Sequence, residues 1–335
     1  STGLIEWTKQ LGTTSEDKAY GITTDSSGNI FVVGSTFSSS INQYQEGEQG
    51  EGFDGHTNQG GWDIFVIKYN SNGLKEWSQQ FGTTWEDEAH GVTTDSIGNV
   101  FITGMTQLGL EGNQSFGMND VFLTKISPVG TKLWTEQLGS NKEEWAYGVS
   151  TDSSDAVYIV GTTEGGLDGN SNAGIEGIGE DSRDVFIVKY NSDGIKQWTR
   201  QIGSNQIDEG KSITADSIGN IYVTGFTQGN LDGNSLIGSR NYFIVKYDSS
   251  GNKIWSKLEG SGFVTAKDII TDSNGDLYVA GTYVEKFDSS GNKIWSTSQG
   301  NFQESNGIAI QPSGKIFITG GISSNLDGNI NAGAE

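Results

Sequence analysis

Cysteine is absent from the sequence, which removes disulfides and thiolate chemistry and fits, without requiring, an exported bacterial protein. Histidine occurs only at His56 and His90, in different kinds of position. With no cysteine beside them, neither a zinc cluster nor a His-dependent nucleophile is supported. No apolar run approaches the roughly 18 residues that span a bilayer, so no membrane insertion is expected. Basic residues are few, 20 against 42 acidic ones, for a net charge of −22. That field repels phosphate backbones and excludes nucleic acid as a natural partner. It also keeps a strand-rich chain apart from its copies, so a monomeric module is expected. No basic stretch followed by an apolar one opens the chain, and any export signal is expected to lie outside this segment.

What is plentiful is glycine, 50 residues against two prolines, the composition of many short strands joined by tight turns. The chain is a repeat. The stretch from Gly73 to Ser127 returns in recognisable form from Gly194 to Asp248. Six tryptophans mark the register: Trp7, Trp77, Trp134, Trp198, Trp255 and Trp295, spaced 70, 57, 64, 57 and 40 residues apart. A constant frame therefore carries a variable insertion.

Each unit has four strand signals. Two flank a tight turn, as in "YGITTDSSGNIFVVGST"; a third reads "DIFVIKYN"; a second tight turn leads into the tryptophan strand. Runs such as "VFIVKY" are apolar on both parities, as in strands covered on both faces. No segment shows a capped 3.6-residue period, so helix should be nearly absent. The expected fold is all-β: a six-bladed propeller of four-stranded antiparallel blades, one domain over 1–335, with units near 1–70, 71–127, 128–191, 192–248, 249–288 and 289–335. The tryptophan strand at the start is expected to close the ring as the outer strand of the last blade. Only five "DIFVIKYN"-type strands occur, those holding Lys68, Lys125, Lys189, Lys246 and Lys286. The last blade is thus expected to lack its third strand. The five lysines are expected to pair with neighbouring carboxylates.

The blocks "AYGITTDSSGNIFVVGST", "DVFIVKYNSDGIKQWTRQIG" and "GLDGNSNAG" resemble the bacterial beta-propeller repeat called SBBP, found in exported and surface proteins. The resemblance covers nearly the whole chain. It implies architecture and an extracellular or cell-surface location, and it carries no set of catalytic residues.

Three features fall on the side of the blades that carries the long loops, where per-repeat insertions gather. The first is a recurrent acid loop, "FDGHTNQGG", "LEGNQSFG", "GLDGNSNAG", "LDGNSLIG" and "LDGNINAG". Oxygen-bearing side chains at alternate positions resemble the start of a calcium loop. The better ligand sets are Asp54 and Asn58; Asp168, Asn170 and Asn172; and Asp327, Asn329 and Asn331. The competing reading is an Asx-type turn in which the acid bonds its own backbone. The second feature is an acid before each innermost strand: Asp17, Asp87, Glu144 and Asp208, with Val264 and Gln303 in the last two units. These would form a partial acidic ring at the mouth of the axis, or cap strand ends. The third is a set of tryptophans outside the register, Trp62, Trp85 and Trp145, suited to stacking on a sugar or anchoring a protein.

No catalytic set stands out, because the acids repeat by unit instead of breaking the symmetry. The expected function is a non-enzymatic binding module of an exported protein, its long-loop face taking a protein or glycan, with Ca2+ ordering the loops. The alternatives are a calcium-dependent lactonase-like hydrolase built on the axial acids, and a structural spacer.

Overall fold

The computed structural model describes residues 6–38, 50–174, 182–260, 262–298, 302–311 and 313–322. The chain divides into two compact units, Ser1–Val149 and Ser150–Glu335. The only helical turns among the described residues are two short 3-10 turns, at Phe53–Gly55 and Leu110–Gly112.

In the first unit, one sheet holds β1 (Asp17–Thr24), β2 (Ile30–Phe37), β5 (Trp62–Tyr69) and β6 (Lys75–Phe81) in that order, and the loop after β2 carries the short pair β3 (Gly50–Glu51) and β4 (Thr57–Asn58). The next sheet runs β7 (Asp87–Thr94), β8 (Val100–Thr106), β9 (Asp120–Ile126) and β10 (Lys132–Leu138). The passage to the second unit falls within β11 (Glu144–Thr151), which opens a third sheet continued by β12 (Val157–Thr163), β13 (Asp184–Tyr190) and β14 (Lys196–Ile202). Then come β15 (Asp208–Ala215), β16 (Ile221–Thr227), β17 (Gly238–Tyr247) and β18 (Lys253–Glu259), with β19 (Gly262–Phe263) alongside β17. The fifth sheet is β20 (Ala266–Thr271), β21 (Leu277–Gly281), β22 (Tyr283–Phe287) and β23 (Lys293–Ser298). The chain ends its described part in the two-stranded β24 (Phe302–Ile310) and β25 (Ile316–Ile322).

Strand order within each four-stranded sheet is the sequential, antiparallel order the repeat predicts. The strands apolar on both parities are the middle ones, and β8, β9, β12 and β16 are buried at every residue. Side chains of neighbouring sheets pack face to face. Val33, Ile64, Val66, Ala89, Ile102 and Phe122 share one core, and Val160, Ile187, Ile213, Val223, Phe243 and Val245 another. Each valine, isoleucine or phenylalanine among them contributes about 1.5–3 kcal/mol by leaving water.

A ladder across each sheet explains the tryptophan register. Phe31, Lys68 and Trp77 are cross-strand neighbours. The ammonium stands 5.6 Å from the Phe31 ring, and the Trp77 ring lies 6.1 Å from it. Phe101, Lys125 and Trp134 repeat the set, as do Tyr158, Lys189 and Trp198, and Tyr222, Lys246 and Trp255. The outer tryptophan then reaches the next sheet. Trp77 Nε1 and Lys68 Nζ each donate to Pro128 O at 3.0 Å, and Trp198 Nε1 (3.3 Å) and Lys189 Nζ (2.9 Å) converge on Ser249 O. The repeated lysines therefore do more than pair with acids. Lys68 meets Glu76 at 2.9 Å and Lys286 meets Asp276 at 2.8 Å, but Lys189 and Lys246 donate to carbonyls of the following hairpin.

The hairpin glycine completes the joint. A Cβ at Gly130 would stand 3.0 Å from the Trp77 ring, one at Gly251 2.9 Å from Trp198, and one at Gly291 3.1 Å from Trp255. Trp7 covers Gly73 in the same way, at 2.7 Å.

Candidate functional site

The acid loop is a plug. Its first residue enters the core: Phe53, Leu110, Leu167 and Leu231 are all 2% exposed or less. The acid follows in the left-handed region, with φ of 55° at Asp54, 54° at Glu111, 51° at Asp168 and 54° at Asp232. That geometry turns the carboxylate back toward the tryptophan strand of its own sheet. Lys75 Nζ donates to Asp54 Oδ1 at 2.6 Å, and Ser78 Oγ donates to Asp54 Oδ2 at 2.5 Å. Lys196 Nζ donates to Asp168 Oδ1 at 2.5 Å, and Thr199 holds the other oxygen. Lys132 pairs with Glu111, and Lys253 and Ser256 with Asp232. Burial alone would raise the Asp54 carboxyl, but the Lys75 and Ser78 donors hold it below its usual range. A glutamine from the same strand closes the plug: Gln80, Gln137 and Gln201 accept from the N–H of Phe53, Leu110 and Leu167 at 2.6, 2.9 and 3.2 Å.

The side chains expected to converge on Ca2+ diverge. Asp54 and Asp168 face ammonium groups. Asn58 is fully buried; it donates to Thr36 O at 3.2 Å and accepts from Gly60 N at 3.0 Å. Asn170 donates back to Leu167 O at 2.8 Å, while Asn172 accepts from Gly174 N at 2.8 Å and Ser182 Oγ at 3.0 Å. This donor set does not fit a divalent cation, because a lysine occupies the anionic end and the amides point elsewhere. Nor is the acid an Asx turn, since its partners lie on another strand. Among the described residues no group of three or more His, Cys, Asp or Glu is gathered as metal ligands. Asp327, Asn329 and Asn331 lie outside the described residues.

The second set of acids starts the first strand of each sheet, with the side chain turned inward. Asp87, Glu144 and Asp208 are fully buried. Each accepts from the backbone N–H four residues earlier: Thr13 to Asp17 at 2.6 Å, Thr83 to Asp87 at 2.5 Å, Ser140 to Glu144 at 2.7 Å and Ser204 to Asp208 at 2.5 Å. They cap the approach to the strand, each within its own repeat. Val264 takes the place in the fifth sheet and is 3% exposed; the Gln303 side chain is outside the described ones.

A third set escaped the sequence reading. Asp63, Asp120 and Asp184 begin the third strand of their sheets and are at most 1% exposed. Gln80, Gln137 and Gln201 donate to them at 3.0, 2.7 and 2.9 Å, so one glutamine ties the plug to the buried acid. The signal was present in sequence as the acid that opens three of the five "DIFVIKYN"-type strands.

The inner strands hold another feature. The register slips by one residue at Tyr20, His90, Lys211, Lys267 and Asn306. A bulge re-aims its side chain, and the residue there changes along the chain from tyrosine and histidine to lysine, which occurs twice, and asparagine. In the first unit the His90 ring lies between Tyr20 (5.2 Å) and Tyr147 (5.5 Å), with Nδ1 3.0 Å from Ala146 O and Nε2 3.1 Å from Glu88 Oε2. Both ring nitrogens are engaged within the protein.

The stray tryptophans differ in setting. Trp62 opens β5, its ring 5.3 Å from Phe37 and beneath Lys18 Nζ at 4.3 Å. Trp145 is half-buried on β11. Trp85 lies in the approach to β7 and is 49% exposed, and in the long loop after β8 Phe116 and Met118 are 47% and 68% exposed.

Sequential four-stranded antiparallel sheets, joined by a tryptophan–glycine contact and closed by an acid plug, define a protein of beta-propeller repeats. Three stretches, 6–42, 76–110 and 197–232, match the model of the SBBP beta-propeller repeat. An uncharacterized WD repeat-containing protein of Acanthamoeba polyphaga mimivirus is 25% identical over 261 residues, covering 62% of this chain and 19% of that protein. The regulatory protein FlaEY of Caulobacter vibrioides is 24% identical over 199 residues, covering 56% and 20%. The chain thus spans about a fifth of the length of these curated relatives. Among solved structures, a chain of the mitotic checkpoint complex superposes with a TM-score of 0.54 at 13% identity, covering 94% of this chain and 74% of that one.

Proposed function

We propose that the chain is a non-enzymatic binding module, a six-bladed propeller that offers its long loops to a protein or glycan at a bacterial cell surface. The observation that carries this reading is the contrast between frame and loops. The plug, caps and tryptophan ladder recur nearly unchanged, while the loops between them differ and expose Trp85, Phe116 and Met118 on a strongly acidic chain. Exposed aromatic and thioether side chains on a charged surface mark contact sites. The acids that a hydrolase would need act here as caps and plug anchors.

Binding to an array of bacterial surface glycans and to fixed bacterial cells tests the reading, with Trp85→Ala and Phe116→Ala as variants. Binding that is reduced at least tenfold by either exposed-site variant, with unchanged melting, is the expected result. Absence of binding to every probe would leave the spacer reading standing.

A further inference from the structure

At three places two repeated acids face each other across a glycine, and a fourth place holds their neutral equivalents. Asp63 faces Asp87 across Gly82: a Cβ on that glycine would stand 2.5 Å from Asp63 Oδ1 and 3.0 Å from Asp87 Oδ2. At the same repeat position Asp120 lies against Gly139 and Asp184 against Gly203, with Glu144 and Asp208 five residues further along the chain, and Asp208 is close enough to Asp184 to feel its charge. Beside Gly260 the corresponding residues are Asn241 and Val264.

The four pairs differ in how their oxygens are met. In the Asp120–Glu144 pair every oxygen has a donor: Gly117 N on Asp120 Oδ1 (3.1 Å), Phe116 N and Gln137 Nε2 on Oδ2 (both 2.7 Å), and Ser140 N and Oγ on the two Glu144 oxygens (2.7 and 2.6 Å). In the other two acid pairs the well-formed hydrogen bonds fall on Oδ2, while the Thr106 and Thr227 hydroxyls stand close enough to Asp87 and Asp208 to oppose the upward shift of their carboxyls. Gln59 N (2.8 Å) and Gln80 Nε2 (3.0 Å) meet Asp63, and Thr83 N (2.5 Å) and Oγ1 (2.9 Å) meet Asp87. Ala173 N (2.8 Å) and Gln201 Nε2 (2.9 Å) meet Asp184, and Ser204 N (2.5 Å) and Oγ (2.7 Å) meet Asp208. Oδ1 of all four aspartates is buried without a partner, and no residue among them is more than 1% exposed.

The Asn241 seam shows what belongs there. Its Oδ1 accepts from Ile237 N at 2.7 Å, as Asp184 Oδ2 accepts from Ala173 N; its Nδ2 then donates to Gly260 O at 2.9 Å. The amide thus puts a donor where the aspartates carry their orphan oxygen. A neutral carboxyl is the closest match to that amide in shape and hydrogen bonding. Where the partner acid is gone, replaced by Val264, the repeat uses the permanently neutral side chain.

We propose that the Asp63–Asp87 and Asp184–Asp208 pairs each bind one proton in the folded protein, and that the two seams release it as the solution turns alkaline. Each carboxylate raises its neighbour's affinity for a proton, Asp63 acting on Asp87 and Asp184 on Asp208, so ionising both members of a buried pair is costly. Burial pushes Asp63 up to about 6, Asp87 up to about 7 and Asp208 up to about 6, and raises Asp184 as well. Across each seam the facing ionisable group is the other carboxyl. The remaining neighbours are amide, hydroxyl and backbone donors, with Thr106 and Thr227 cross-strand from Asp87 and Asp208. The proton belongs to the pair and is not assigned to one residue.

The linkage has a definite sign. An unfolded aspartate titrates near 3.9, so between about pH 4 and pH 7 the folded chain holds protons that the unfolded one has lost. Stability contributed by the pairs is fully present below about pH 4 and declines as pH rises through 6 to 7. The unfolding constant should increase by up to about tenfold per pH unit for each pair across that window.

Urea unfolding of the chain between pH 5 and pH 8, with infrared detection of protonated carboxyl groups, tests this. Wild type should show a protonated-carboxyl C=O band at pH 6 that bleaches by pH 8, and a falling stability over the same interval. The Asp63→Asn/Asp184→Asn variant, which places the Asn241 amide opposite Asp87 and Asp208, should weaken the band, flatten the slope and exceed wild type in stability at pH 8. Asp120→Asn should bring no such gain, because its amide would face the Gly117 N–H. Absence of the band in wild type, or an unchanged slope in the double variant, overturns the proposal. So does a slope flattened by millimolar Ca2+ as effectively as by the two asparagines, since a cation would then fill the orphan oxygens. The infrared measurement needs no variant and stands even if the double variant fails to fold.

Discussion

Asp168 and Asp184 stand at opposite ends of one long loop, and the fold treats them in opposite ways. Asp168 is exposed at the tip of the plug and held by Lys196 and Thr199. Asp184 is buried, with donors on one oxygen and none on the other. The equivalents of Asp168 keep an acid wherever the loop is present, with Glu111 for aspartate in the second repeat, but the fifth repeat has no acid loop at all, and its Lys293 turns to Glu259 and Glu285 instead. The equivalents of Asp184 change only together with their partner, to Asn241 beside Val264. An exposed charge is solvated whether or not its lysine is present. A buried one must be met by a donor or neutralised, and so the two halves of the seam are coupled.

The largest effect expected from this difference lies at the glycines. A Cβ at Gly203 would fall 1.9 Å from Asp184 Oδ1 and 2.3 Å from its Cγ, inside a seam with no room to yield. Gly203→Ala should therefore cost about 3 kcal/mol in urea unfolding. Gly233, beside the exposed acid Asp232, has nothing within 4 Å of its Cβ position and only its φ of +79° to object. Gly233→Ala should cost about 1 kcal/mol. Equal costs at the two sites would remove the distinction between plug and seam.

A somewhat smaller effect comes from converting the neutral seam into an acidic one. Val264 is 3% exposed and faces Asn241 across Gly260. Val264→Asp buries a carboxyl without the Ser204-type cap that serves Asp208. At pH 8 the loss should be about 2–3 kcal/mol, and it should shrink toward pH 5 as the new carboxyl takes up a proton. A loss independent of pH would mean that shape alone, and not charge, fixes this position.

Much of the frame was legible before any coordinates. The six tryptophans, the two hairpins per unit and the both-parity apolar runs specify four sequential strands, because those patterns are local. The candidate sites were legible only as recurrences. That Asp168 recurs is plain in sequence; whether it meets a cation, its own backbone or Lys196 depends on a strand about thirty residues away (Lys196 is 28 residues on). A clue was nevertheless present: Lys-x-Trp-Ser/Thr occurs at Lys75, Lys132, Lys196, Lys253 and Lys293, and it places an ammonium and a hydroxyl on one edge of the outer strand. The buried acids were harder to read. Asp63 and Asp184 look like ordinary strand-opening residues, and only the fold brings Asp63 against Gly82 beside Asp87 and Asp184 within reach of the Asp208 charge. The bulged His90 was read as an isolated histidine, since a slip of register leaves no mark in a sequence that already alternates imperfectly.

The smallest expected effect is at the plug itself. Lys196 and Asp168 are each about a third exposed, with side-chain exposures of 38% and 30%. Lys196→Met should cost about 0.5–1 kcal/mol at low salt and less than half of that at about 1 M salt, where screening shortens the reach of the pair to about 3 Å. Its value lies in what it exposes. In wild type, millimolar Ca2+ should leave the melting temperature unchanged, because the ammonium already neutralises Asp168 and the amides of Asn170 and Asn172 are committed to the backbone. Lys196→Met takes away the ammonium but not those amide bonds, so Ca2+ should still have no effect. A calcium-dependent rise confined to the variant would show that the lysine alone had kept a divalent site closed, and that the loop's oxygens are freer to regroup than their hydrogen bonds indicate.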